Sequence, residues 1–149
     1  VEKCLAEGNG PVLVLFDRLE HGKNLYNALK PLGRCELVNG ETKTSLRRNI
    51  RSQVEAGEVD IVVASIVWVA GVNIRRLKTL IVAGSGRSGI MTVQRAGRVL
   101  RTHPDKQQAL IIDICDHEES YLRDQYCDRR FYYNYKYPGH VQEIDLSEP

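Results

Sequence analysis

The stretch "GSGRSGIMTVQRAGRVLR", residues 84–101, admits two readings that lead to different folds. Its opening matches Gly-x-Gly-x-x-Gly, a turn that brings backbone close to a pyrophosphate at a helix N-terminus. Its second half sets Arg95, Arg98 and Arg101 behind Gln94. On a helix over about 90–100, turning roughly 100° per residue, Gln94, Arg98 and Arg101 fall within roughly 60° of one another. Val93, Ala96, Gly97 and Leu100 take the opposite, sheet-facing side, and Arg95 lies on the flank. Converging guanidinium groups repel, so an anion that bridges them is the natural partner, and the arginine fork suits phosphate. A merely solvated basic face is the alternative.

The glycine turn is the weaker signal. It normally opens its domain, whereas three apolar runs precede it here. In its favour, Asp113 follows Gly89 by 24 residues at the end of another such run, where a ribose-binding acid would stand.

Those runs set the architecture. "PVLVLF" (11–16), "CELV" (35–38), "DIVVAS" (60–65), "TLIVAG" (79–84) and "ALIIDI" (109–114) are near-continuously apolar, as strands covered on both faces must be. Residues 19–32 and 44–56 read as helices between them. Leu25, Leu29 and Leu32 mark the apolar stripe of the first; Leu46, Ile50 and Val54 mark that of the second. Pro31 and Gly33 close the first and Gly57 the second. Alternating strands and helices predict an α/β fold. The segment 120–137 carries six of the seven tyrosines. It reads as a helix packing back through Leu122, Tyr126 and Tyr133, with "HVQEIDL" (140–146) as a candidate edge strand.

A net charge of +2 on 149 residues does not by itself imply nucleic acid, so any basic function rests on local clusters. Cys4, Cys35, Cys115 and Cys127 form no C-x-x-C pair, and the expectation is buried, reduced thiols and no metal site. No apolar run is long enough for a membrane span. The chain starts at Val1 and reads as a piece of a longer one. "DICDHEES" (113–120) reads as capping chemistry after the last strand.

"QRAGRVLR" (94–101) resembles motif VI of superfamily-two helicases, Q/H-R-x-G-R-x-x-R. Its variant is similar to that of the DNA-repair and phage helicases that include the eukaryotic excision-repair helicase subunit. Three further blocks follow the family's order. "PVLVLFDRLEHGKNL" (11–25) resembles motif IV, "NGETKTSLRRNIRSQVEAGEVDIVVAS" (39–65) the arginine-bearing segment before motif V, and "ASIVWVAGVNI" (64–74) motif V. The resemblance implies a RecA-like three-layer α/β/α sandwich with a mainly parallel sheet and a C-terminal helical tail. The whole of 1–149 would be the second motor domain, with a core over about 10–116 and a Tyr-rich extension over about 117–149.

By the same resemblance Arg98 and Arg101 are arginine fingers to ATP, and Gln94 orders the phosphate or the attacking water. Arg95 meets a carboxylate at the domain junction or motif V, close to the nucleotide. Gly71 lets backbone approach the ligand, and Asn73 stands where many relatives carry an Asp that contacts the ribose. Ser65 replaces a threonine that touches a nucleic-acid phosphate, and Arg47 matches a strand-contacting arginine. Trp68 replaces a small residue, as core plug or as wedge. From its place after the first strand, Lys23 in "HGK" is a candidate for a phosphate, with His21 beside it as cap or solvent residue.

No G-x-x-x-x-G-K-[ST] and no Walker-type acid pair occur. ATP with Mg2+ is therefore expected mainly on an N-terminal RecA-like domain of the same protein, and this piece alone is expected to be inactive. DNA is the expected partner before RNA, in an intracellular setting (cytoplasm, nucleoid or nucleus, a phage-encoded protein included). Three alternatives remain at this point: a translocase or restriction motor that does not unwind, a nucleic-acid-binding module without ATPase, and a dinucleotide-binding oxidoreductase.

Overall fold

The computed structural model describes residues 1–65, 68, 73–84, 94, 97, 103, 104, 106, 108–115 and 118–144. In chain order these form α1 (Glu2–Ala6), β1 (Val12–Phe16), α2 (Leu19–Leu29), a 3-10 turn (Lys30–Leu32), β2 (Cys35–Val38) and α3 (Thr44–Ala56). There follow β3 (Ile61–Ser65), β4 (Thr79–Val82), β5 (Leu110–Asp113) and a tail helix (Ser120–Lys136).

The five strands form one parallel sheet in the order β2-β3-β1-β4-β5. β1 is central, with Val14 level with Val63 of β3 and Ile81 of β4. Its side chains alternate between two cores. Leu13 and Leu15 join Ile50 and Val54 of α3, with Trp68, Ile74 and Leu77. Val12, Val14 and Phe16 join Cys4 of α1 and the inner side of α2 at Leu25, Tyr26 and Leu29. The two helices thus cover opposite faces, as right-handed crossovers running first one way and then the other along the sheet require. Trp68 is a core plug, 5% exposed.

Local chemistry explains the boundaries. α3 ends at Gly57, whose φ of +78° is the left-handed cap that a side chain resists. The first helix is shorter than its pattern, because Pro31 has no N–H to donate and the last three residues tighten into the 3-10 turn. Leu46, expected on the apolar stripe of α3, is 48% exposed; Ile50 and Val54 alone carry that stripe into the core. At the start of β3, Asp60 accepts from the Arg34 backbone N–H (2.9 Å) and from its Nε (3.2 Å), clamping β2 to β3. The Arg34 hydrogen bond holds the Asp60 carboxyl below the usual carboxylate range, against the effect of its partial burial. Of the cysteines Cys4 is buried, Cys35 and Cys115 are half-buried and Cys127 is exposed, so the expectation of four buried thiols fails at Cys127. Burial, then the charge of Glu36, pushes the Cys35 thiol up to about 11.

Residues 140–144 form no strand, contrary to the edge-strand reading. Side-chain contacts hold this segment along the tail helix instead, through an ion pair of Arg130 with Glu143 and a Tyr126 hydroxyl donating to Glu143 (3.3 Å).

Gly22 sets how closely α2 approaches the sheet. A Cβ there would lie 2.5 Å from the ring of Phe16, itself fully buried and unable to yield. Gly22→Ala is expected to lower stability by about 2 kcal/mol through overpacking, despite the better helix propensity of alanine. A fall in the urea midpoint at constant m-value checks it; a midpoint at or above wild type contradicts it.

Candidate functional site at the carboxyl edge of the sheet

All five strands end at one edge, with Phe16, Val38, Ser65, Val82 and Asp113 as their last residues. The chain leaves β1 toward β2 and later crosses back to β4. The switch point therefore lies at the end of β1, where open α/β sheets hold ligands. Gly84 closes in beside it: a Cβ there would be 3.5 Å from the Asp17 backbone nitrogen and from Nδ1 of His21. His21 is exposed in the first turn of α2, and Lys23 is exposed two residues further on.

Two buried polar atoms lack a partner among the described residues. Ser65 Oγ, at the tip of β3, and Asn73 Oδ1 are buried, and no hydrogen bond reaches either among the described residues. Leaving such groups unsatisfied costs about 1–3 kcal/mol each. Asn73 is held from behind, where its backbone carbonyl accepts from Arg51 Nη2 of α3 at 3.0 Å.

Arg47 is placed differently from a free strand-gripping cation. Its Nε donates to the carbonyl of Thr42 (2.7 Å), and its Nη2 to those of Asn39 (3.1 Å) and Gly40 (2.7 Å). The same turn is tied internally by Asn39 Oδ1, which accepts from the N–H groups of Glu41 (2.9 Å) and Thr42 (3.1 Å). Arg47 thus shapes the loop after β2, while Arg48 is exposed on α3 and Arg51 reaches the backbone of Asn73. Gln94 is helical and exposed, and Gly97 is helical. Arg95, Arg98, Arg101 and Gly71 lie outside the described residues, so the proposed finger cluster is represented here by Gln94 alone.

The largest feature missed in the sequence is a buried lock at the end of β5. Arg129 grips the Asp113 carboxylate with Nε (2.6 Å) and Nη2 (2.8 Å), and the Tyr133 hydroxyl donates to it at 2.8 Å. The ion-pair side chains are 3% and 6% exposed. Burial first, then the Asp113 charge, pushes the Tyr133 hydroxyl far above the ordinary tyrosine range, so it stays a donor. The only hint in the sequence is the i, i+4 spacing of Arg129 and Tyr133 beside an acid that ends a strand. The lock also removes the acid on which a dinucleotide-binding reading relied, because Asp113 is sequestered from any ribose.

A second cationic region, a cavity of about 350 Å3 with Arg76, Lys78, His103 and Lys106 in its wall, opens at the opposite, amino edge. Two of these side chains serve the chain's own carbonyls: Arg76 donates to Glu55 at the end of α3 (3.3 Å), and Lys78 to Gly8 (3.0 Å). Cations at a helix C-terminus complement its dipole. Among the described residues no group of three His, Cys, Asp or Glu is arranged to hold a metal, and no helix is long and apolar enough to cross a membrane.

The family model described as helicase conserved C-terminal domain matches residues 1–103. The ATP-dependent DNA helicase uvsW of Enterobacteria phage T4 is 32% identical over 114 residues, covering 75% of this chain and 23% of that protein. The chain spans only 17–23% of the curated relatives it matches. Among solved structures, T4 UvsW superposes with a TM-score of 0.70 at 26% identity, over 91% of this chain and 31% of that one. The helicase MrfA, solved with DNA and AMPPNP, shares the fold with a TM-score of 0.70 at 21% identity, over 98% of this chain and 20% of that one.

Breaking the lock from one side is expected to be costly. Arg129→Ala leaves a buried carboxylate without its cation and should lower stability by about 3–5 kcal/mol. The double replacement Asp113→Leu with Arg129→Met should lose much less. Urea unfolding of both proteins checks this, and equal losses would contradict it.

Proposed function

Because the chain belongs to the helicase conserved C-terminal domain family, we propose that it is the second motor domain of an ATP-dependent helicase acting on DNA. Its core spans about 10–116 and its Tyr-rich helical extension about 117–149. A first RecA-like domain of the same protein faces the carboxyl edge and carries ATP as substrate. The observation that carries this reading is the buried Ser65 hydroxyl at the carboxyl tip of β3, which has no partner among the described residues and is free to donate to a phosphate.

The roles divide by residue. Arg98 and Arg101 enter the cleft and neutralise charge that develops on the transferred phosphoryl group, while Gln94 orders the phosphate or the water that attacks it. Arg95 steadies the same cleft at the domain junction. Gly71 lets the backbone close on the ligand, and the Asn73 amide meets a ribose hydroxyl. The Ser65 hydroxyl donates to a phosphate of the bound strand. Arg47 acts on that strand through the 39–42 loop it braces, with Arg48 and Lys23 presented outward as cationic contacts. Mg2+ neutralises the phosphates when bound, and its ligands belong to the first domain; this half supplies guanidiniums in place of metal-binding acids. Motif V grips the strand while motif VI senses the phosphate, so opening and closing of the cleft moves the protein along DNA.

In the intact protein, Arg98→Ala is expected to lower ATP turnover by about 10³-fold or more, about 4 kcal/mol of transition-state stabilisation, and to spare binding of single-stranded DNA. Steady-state ATPase assays and a fluorescence binding titration check this. Normal turnover in the variant would overturn the finger assignment.

A further inference from the structure

The tail helix does more than cover an edge strand. Its far end reaches the helical residue that immediately precedes Arg98. A Cβ built on Gly97 would lie 3.3 Å from the Tyr137 hydroxyl oxygen, so that hydroxyl rests close to the Gly97 backbone and would have to give by a few tenths of an ångström to admit a side chain.

Tyr137 is itself fixed from several sides. Its N–H donates to Tyr133 at 2.8 Å, and its carbonyl accepts from His140 at 3.1 Å. One turn earlier Tyr133 is hydrogen-bonded to Asp113, and Arg129 grips the same carboxylate. Glu143, in the returning segment, pairs with Arg130. A continuous line of contacts therefore runs from the end of β5, through Arg129 and Tyr133, to Tyr137 and Gly97.

A cavity of about 380 Å3 lies beside this contact, with Gly97, Leu110, Ile111, Tyr126, Tyr133 and Tyr137 in its wall. The contact ties the position of Gly97 to that of the tail helix. A finger misplaced by about 1 Å loses on the order of 10²-fold in rate, so position here matters to chemistry.

We propose that the tail helix is a strut for the helix bearing the fingers, with Tyr137 as the positioning residue that seats Gly97. This rests on the assignment of Arg98 and Arg101 as fingers. Tyr137 touches no substrate; it acts through Gly97.

The test uses four forms of the intact protein: wild type, Gly97→Ala, Tyr137→Phe and the double variant. Alanine is the better helix former, so any loss on Gly97→Ala must come from the added methyl meeting the hydroxyl. The expected result is a fall in kcat of about 10-fold for Gly97→Ala with KM for ATP little changed. Most of that loss should return when Tyr137→Phe removes the oxygen. An unaffected Gly97→Ala enzyme, or a loss that Tyr137→Phe does not repair, overturns the strut. If the wild-type protein turns over no ATP, the motor reading fails, and the urea midpoints of the same four proteins decide the contact. Non-additive midpoint shifts uphold it, and additive shifts overturn it.

Discussion

The structure depends on the parallel register of β1 between β3 and β4. Parallel strands must be joined by crossovers that pack on both faces, so the central strands are dry on both sides. Every residue of β1 is buried, and so is every residue of β3 and β4. Polar chemistry is thereby driven to the strand ends. Because the strands run the same way, the ends gather at two edges of opposite character: helices begin at one and finish at the other.

The small net charge conceals that division. At the amino edge, Arg34 and Arg76 donate to carbonyls at the end of α3, where the helix dipole favours them. At the carboxyl edge, the Ser65 hydroxyl has no partner among the described residues. Stability is served at the amino edge, and the proposed function assigns recognition to the carboxyl edge. The Asp113 lock is the exception, a charge at the carboxyl edge that the fold keeps for itself. It ties the tail helix to the sheet, which is how a segment remote in sequence comes to touch Gly97.

Much of this was legible in the sequence where burial was complete. The strand runs were nearly continuous in apolar residues because both faces are covered, and α3 was bounded by a glycine whose backbone sign only glycine takes easily. What failed depended on side-chain geometry or distant partners. Leu46 obeys the helical period yet stays exposed, since the stripe is only two residues wide at the core. "HVQEIDL" alternates like a strand, but Glu143 has a cationic partner on the tail helix that no periodicity reveals. Arg47 sits on the expected helix face, and only coordinates show its guanidinium occupied by three carbonyls. The Asp113–Arg129 pair spans 16 residues and two elements, and the i, i+4 spacing of Arg129 and Tyr133 does not by itself name the acid they meet. For the site, Ser65 stands at the tip of β3 as the strand reading placed it, whereas four of the proposed residues lie outside the described chain.

The proposed motor role requires the carboxyl edge to meet phosphate, of nucleotide and of strand together. Hydrogen exchange on the intact protein, with and without single-stranded DNA and a non-hydrolysable ATP analogue, tests it most directly. New protection is expected in the segments 62–74 and 84–101, with the amino-edge residues around Lys78 and Lys106 unchanged. Protection confined to the amino edge, with 62–74 and 84–101 unaffected, would contradict it.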